Sequence, residues 1–342
     1  MTDKYFQKAE KARIGAEYDK AIGLYLKALA GCKKNSDLDG VLDCSLSLAD
    51  TFRAKGDFQK AKKMYEEALD LAEALDDRAS EADAMSGLGL SLRALGDWGR
   101  ALELVNKALK IYKSMSDRKG EAFSLWAKAG TYRIKGDVRQ AVRIYHQSLD
   151  MFRALKDRAG MAYSYCGLGG SSRVAGEYGE SERYYKMANR MFSRLNDRFG
   201  LAYSYCGLGN ARRMHGDYGK ALLYFRKAEI LYKKIGDKVS YAYTLWSVGT
   251  THKMLGEMGK ARVCFKESDG FFKQTQDPRG RIYCILGTAE ADYLDGKRER
   301  AGKAYLTALG QAKKYGFKVE KGYAERLLKA CRQGRVVPFN LP

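Results

Sequence analysis

One cation recurs every forty residues: Arg13, Arg53, Arg93, Arg133, Arg173, Arg213 and Lys253, with Tyr293 at the eighth position. Ten residues earlier runs a second ladder, Asp43 and Asp83 followed by Phe123, Tyr163, Tyr203, Tyr243, Tyr283 and Tyr323. Trp126 and Trp246 lie seven residues before their cations, in a position that Cys166 and Cys206 take in the middle of the chain. Guanidinium forks bind carboxylate or phosphate through paired hydrogen bonds, while Tyr and Trp offer flat contact area at low entropic cost. An extended acidic or phosphorylated peptide satisfies both. So does a single nucleic-acid strand, with phosphates on the cations and bases stacked on Tyr163, Tyr203 and Tyr243.

Catalytic chemistry has no comparable pattern. His146, His215 and His252 are scattered without a partner at metal-ligand spacing, and no nucleophile-elbow, phosphate-loop or zinc signature occurs. The run Gly87–Gly96 has the glycines of a dinucleotide loop but no strand before it. Cys166 and Cys206 read as small groove or core residues rather than a redox or metal pair, because free cysteine behaves as a small hydrophobe. A non-enzyme with no metal and no cofactor is expected.

Those ladders need elements to position them. Of 342 residues, 45% are hydrophobic and 30% charged, enough for a large core, and only three are proline, two of them (Pro338, Pro342) in the last five residues. Abundant Ala, Leu and Lys punctuated by 36 glycines reads as many helices joined by tight turns. The net charge of +21 lies beyond residue 80, since the first eighty residues carry 14 basic and 15 acidic side chains. Such a field favours anionic partners. Seven cysteines without a C-x-x-C pair point to a reducing, cytoplasmic setting. The start of the chain has no apolar signal core, and no apolar run is long enough to span a membrane.

The period is strict. Gly56, Gly96, Gly136, Gly176, Gly216, Gly256 and Gly296 fall forty residues apart, with Ala16 in the same phase. A small residue follows each at +5 and a bulky one at +9, from Ala21 and Tyr25 to Ala301 and Tyr305. Asp37 through Asp277 hold a third phase. Each unit reads as two helices: one of about 16 residues capped by the aspartate and ended by the glycine, then a second over positions equivalent to 58–74. Glycine within a helix costs about 1 kcal/mol relative to Ala, so Gly87, Gly89, Gly167, Gly169, Gly207 and Gly209 imply close helix packing.

Leu88-Gly89, Leu168-Gly169 and Leu208-Gly209-Asn210, each followed by Gly-Asp/Glu-aromatic-x-x-Ala as in Gly56-Asp57-Phe58…Ala61 and Gly216-Asp217-Tyr218…Ala221, resemble tetratricopeptide repeats. The forty-residue period is similar to that of Pins-type scaffolds and bacterial adaptor arrays. The resemblance implies an all-α, right-handed superhelix (α-solenoid) of about eight hairpins. It covers 1–335 as one continuous solenoid, with repeats phased near 1–40, 41–80, 81–120, 121–160, 161–200, 201–240, 241–280 and 281–320. A capping helix is expected over 319–333, then a tail over 336–342. For that apolar tail three fates stay open: docking along the end of the array, lying in the groove as a self-ligand, or disorder.

By the same resemblance, the first helix of each unit lines a concave groove and the ladders become its columns. The expected partner-binding residues are Arg53, Arg93, Arg133, Arg173, Arg213, Lys253, Phe123, Trp126, Tyr163, Tyr203, Asn210, Tyr243, Trp246 and Tyr283. A third column runs Asp50, Leu90, Gly130, Gly170, Asn210, Thr250, Glu290, and only Asn210 matches the asparagine that clasps ligand backbone in such grooves. The cations have a competing structural reading as braces to the acid four residues on, Arg93 with Asp97 or Arg213 with Asp217. The tyrosines could pack between helices. The leading expectation is a cytoplasmic interaction scaffold that clamps an acidic or phosphorylated segment of a partner protein. The alternative is a binder of single-stranded RNA or DNA through the same residues.

Overall fold

The structure, a computed structural model, describes residues 2–335 and 338–341; of the expected tail, residues 336, 337 and 342 lie outside the described residues. Seventeen helices and no strand occur among the described residues. The first helices of eight hairpins are α1 (Thr2–Ile14), α3 (Leu38–Lys55), α5 (Arg78–Ala94), α7 (Arg118–Lys135), α9 (Arg158–Ala175), α11 (Arg198–Met214), α13 (Lys238–Met254) and α15 (Pro278–Leu294). Their partners are α2 (Tyr18–Lys34), α4 (Phe58–Ala74), α6 (Trp98–Ser114), α8 (Val138–Ala154), α10 (Tyr178–Leu195), α12 (Tyr218–Ile235), α14 (Met258–Thr275) and α16 (Arg298–Lys314). A last helix, α17 (Lys318–Arg332), packs on α16. Consecutive helices pack throughout, and the first helices of successive hairpins touch, which makes an α-solenoid. The hairpins begin at the capping aspartates, so they run a few residues ahead of the frames counted from residue 1.

Local chemistry sets the boundaries. Each aspartate of the third phase is an N-cap whose carboxylate accepts a backbone N–H of the first turn, as Asp157 does from Gly160 at 2.8 Å and Asp237 from Val239 and Ser240. Gly56 ends α3 at φ 86°, where a side chain would be strained. The other corner of each unit also turns through left-handed backbone but carries mostly non-glycine residues, Ser36, Asp76, Ser116, Lys156, Asn196 and Gln276. The bulky residue at +9 explains the helical glycines. The Tyr145 ring fills the space where a Cβ on Gly167 would stand, at 2.3 Å, and Tyr185 does the same at Gly207.

The superhelix also closes on itself, turn upon turn. The corner after each of the first four first-helices meets the start of the first helix five hairpins on. A Cβ on Gly56 would meet the Val239 side chain at 2.7 Å, and one on Gly96 would meet Pro278 at 2.9 Å. Arg198 donates to the Gly15 carbonyl, and Lys318 pairs with Asp137 at 2.6 Å. Trp98 Nε1 donates to the Tyr315 carbonyl at 2.8 Å across 217 residues of sequence. The concave surface is therefore the wall of an enclosed lumen rather than an open groove.

Candidate functional site

The cation ladder divides into three parts, and the residue three positions earlier decides which. Where that residue is acidic, the arginine is engaged within its own hairpin. Arg13 bonds Glu10 at 2.6 Å, and Arg53 bonds Asp50 at 2.7 Å, each with a tyrosine hydroxyl of the partner helix (Tyr25, Tyr65) in the same cluster. Desolvation inside the superhelix pushes the Asp50 carboxyl up, but Arg53 and the Tyr65 hydroxyl outweigh it and hold the group below its ordinary value. The expected brace to the acid four residues on does not form: Asp217 pairs with Arg212 at 3.7 Å, and Asp97 accepts the Arg100 N–H as an N-cap.

Where the earlier residue is Leu90, Gly130 or Gly170, the arginine has no carboxylate. Arg93 makes one long hydrogen bond, to the Ala127 carbonyl at 3.4 Å. Among the described residues Arg133 and Arg173 have no hydrogen-bond or ion-pair partner, and the Nε of each is buried and unsatisfied. Burial pulls the Arg93 guanidinium down to about 10, and its neighbours Arg133 and Arg53 pull the same way. It remains charged at neutral pH.

At the far end the ladder is occupied. Arg213 is fully buried, and its Nη2 donates to Asn210 Oδ1 at 3.1 Å and to the Leu341 carbonyl at 2.8 Å. Lys253, 1% exposed, pairs with Glu290 of the next first helix.

A cavity of about 290 Å³ lies in the lumen. It gathers Arg93, Arg133 and Arg173 from the cation ladder with Tyr203, Tyr243 and Tyr283 from the aromatic one. Asn210 and Trp246 also reach it, whereas Arg53, Arg213, Lys253, Phe123, Trp126 and Tyr163 do not line it. A larger hollow of about 510 Å³ at the end of the solenoid, between α16 and α17, contains none of the ladder residues.

Several aromatic residues are tied into the framework. Tyr163 and Tyr243 donate to Asp197 and Asp277, the caps of the following first helices, at 2.7 and 2.9 Å. Trp126 stacks on Phe123 and donates to the Tyr163 carbonyl at 3.3 Å, and Trp246 donates to the Tyr283 carbonyl at 3.0 Å. Trp246 and Tyr283 are both buried. Tyr203 lines the cavity without such a tie.

Residues beyond the two ladders complete the wall. Tyr185 reaches in from the second helix α10, its ring under Gly207. Arg279 enters from the start of α15 and is neutralised there by buried Glu320 at 2.7 Å, with the Tyr283 hydroxyl at 3.1 Å. Among the described residues the one carboxylate on the cavity wall, Asp277, is spent on the Gly280 N–H and the Tyr243 hydroxyl. Among the described residues, the three ladder guanidinium groups of the cavity have no acid paired with them. No group of metal-ligating side chains occurs among the described residues, and no helix there is long and apolar enough to cross a membrane.

No curated protein matches the chain. Among solved structures it is similar to a Rap protein complexed with Competence and Sporulation Factor, at 14% identity and a TM-score of 0.64 over 98% of both chains. It is also similar to the apo form of RapI, at 15% identity and a TM-score of 0.57, covering 84% of this chain and 98% of that one. A third likeness, at 19% identity and a TM-score of 0.54, is to a signal transduction ATPase with a tetratricopeptide repeat sensor from Pyrococcus horikoshii; 97% of this chain covers half of that protein. At these identities the likeness is one of fold. A tetratricopeptide-repeat family model matches residues 12–74, 44–114 and 158–234, together just over half of the sequence. With the hairpins, capping aspartates and +9 rings all in the forty-residue register, the chain belongs to the tetratricopeptide-repeat family.

Proposed function

We propose that the protein is a non-catalytic interaction scaffold whose lumen binds an acidic or phosphorylated peptide segment of a partner protein. One observation carries this reading: Arg93, Arg133 and Arg173 face a common cavity, and none of them is paired with a carboxylate among the described residues. Leaving like charges desolvated and unpaired is costly, and neighbouring helices about 10 Å apart keep them near one screening length. An anionic ligand removes that cost. Carboxylates or phosphoryl groups would take the guanidinium forks, while Tyr203 supplies contact area.

The tetratricopeptide fold supports a protein-binding role, and a Rap protein of similar fold was solved with Competence and Sporulation Factor bound. A nucleic-acid strand fits less well. Turn-to-turn contacts enclose the lumen, and Trp246 and Tyr283 are buried rather than free as stacking platforms. Seven unpaired thiols suit a reducing, cytoplasmic setting.

The test is a binding screen of the full chain against labelled Glu-rich, phosphoserine and neutral peptides and an oligothymidylate. The proposal expects sequence-dependent binding of the acidic or phosphorylated peptides. Binding of the oligonucleotide alone, with a steep and sequence-independent salt slope, would overturn it.

A further inference from the structure

The segment Pro338–Leu341 does not continue the solenoid; it enters the lumen and occupies the end of the cation ladder. Glu290 accepts the Phe339 N–H, and Lys253 Nζ donates to the Phe339 carbonyl at 2.8 Å. The Asn340 carboxamide closes a ring on one residue: its Oδ1 accepts from Arg213 Nη1, and its Nδ2 donates to the Arg213 carbonyl at 2.8 Å. Arg213 also holds the Leu341 carbonyl, and the Leu341 side chain, 3% exposed, enters the core that contains Tyr283 and Tyr323.

Three consecutive residues thus present backbone and carboxamide groups to Arg213, Lys253 and Glu290, which sit at the ladder positions that elsewhere face the open cavity. The seat matches a carboxamide on both of its sides, an acceptor toward the guanidinium and a donor toward the carbonyl. An aspartate would set its second oxygen against the Arg213 carbonyl, and an alanine would leave the buried guanidinium short of an acceptor.

Among the described residues Arg213 meets only dipoles there, the Asn210 and Asn340 carboxamides and the Leu341 carbonyl, and burial pushes its guanidinium down to about 9. A segment held by a few hydrogen bonds and two apolar side chains, outside any helix, is retained largely by the high effective concentration that its tether provides.

We propose that Pro338–Leu341 is a tethered ligand: the Arg213–Lys253 end of the lumen is a binding site for an extended peptide with an asparagine between apolar residues. The chain fills that site with its own segment, which a partner peptide of the same pattern displaces. This rests on the lumen being a peptide-binding channel, but it uses different residues from the arginine trio.

The probe is a synthetic peptide of residues 337–342, used with the unmodified full chain. Hydrogen-exchange mass spectrometry should find 338–341 protected. Excess peptide should raise exchange there at least about tenfold, because a displaced segment gives up its charge-assisted hydrogen bonds to Arg213, Lys253 and Glu290, while the same peptide with Asn340→Ala should not. A full-length Asn340→Ala chain should bind the labelled wild-type peptide at least about tenfold more tightly than the unmodified chain does, because its own segment no longer competes. Rapid exchange at 338–341 in the unmodified chain, or protection that neither peptide alters, would overturn the proposal without recourse to any variant. The acidic-peptide screen reads the arginine trio and this exchange experiment reads residues 338–341, so failure of the acidic-peptide reading and failure of the tethered ligand are separately visible.

Discussion

Arg93 and Gly130 are matched across neighbouring hairpins: the Arg93 guanidinium lies where the side chain of residue 130 would stand, with Nη1 2.3 Å from an ideal Cβ. Gly130→Ala should therefore move the far end of a flexible side chain rather than break the helix. Removing a helical glycine gains roughly 1 kcal/mol, so stability should hold or rise while binding of an acidic peptide changes. Gly167→Ala meets the buried Tyr145 ring instead and should cost about 1–3 kcal/mol by overpacking. Urea unfolding of both variants checks the contrast; equal losses would contradict it.

The first and middle parts of the ladder should respond oppositely to loss of charge. Arg53→Gln breaks the pair with Asp50 and should lower stability, whereas Arg133→Gln removes an unpaired cation and should hold or raise the thermal midpoint of the ligand-free chain. Added salt should raise the wild-type midpoint more than that of Arg133→Gln, since it screens repulsion among the three arginines. Scanning calorimetry at two salt concentrations reads both effects.

A pH dependence follows from Asp50. Its side chain is 43% exposed, so Asp50→Asn should cost only about 0.5–1 kcal/mol at neutral pH. The folded carboxyl titrates below its ordinary 3.8, so its contribution is complete above that pH and is lost as pH falls through the lower folded value. Urea midpoints of wild type and variant should converge below about pH 4. A gap that widened on acidification would show that Asp50 is not held ionised by Arg53.

The enclosed lumen depends on contacts between turns. Trp98→Ala deletes the indole that donates to the Tyr315 carbonyl and packs under Gly316. Helix content by circular dichroism should be unchanged, stability should fall by about 2–3 kcal/mol, and small-angle scattering should report a longer, more open particle. An unaltered radius of gyration would mean that the turns hold together without this contact.

Much of this was legible in the residues. A forty-residue period with a capping aspartate, a glycine corner and a +9 ring leaves little choice of helices, because each signal acts within a few residues. The arginine ladder is legible too, but what divides it is the residue three positions before each arginine, not the acid four positions after. The signal was Glu10 and Asp50 three residues before, against Leu90, Gly130 and Gly170 at the same place. Arg279 with Glu320, Lys253 with Glu290, and the seating of Asn340 on Arg213 were not legible. They depend on the pitch of the superhelix, which sums small rotations over many hairpins and leaves no local pattern.

The most direct measurement is a calorimetric titration of a Glu-rich or phosphoserine peptide into the full chain and into Arg133→Gln/Arg173→Gln, with circular dichroism to verify the fold of each. Loss of charged hydrogen bonds worth about 1.5–3 kcal/mol predicts that affinity falls roughly 10- to 100-fold in the variant and weakens with salt in the wild type. Equal affinity in the two proteins, or no binding of any anionic peptide to the wild type, would contradict the assignment of the arginine trio as the peptide clamp.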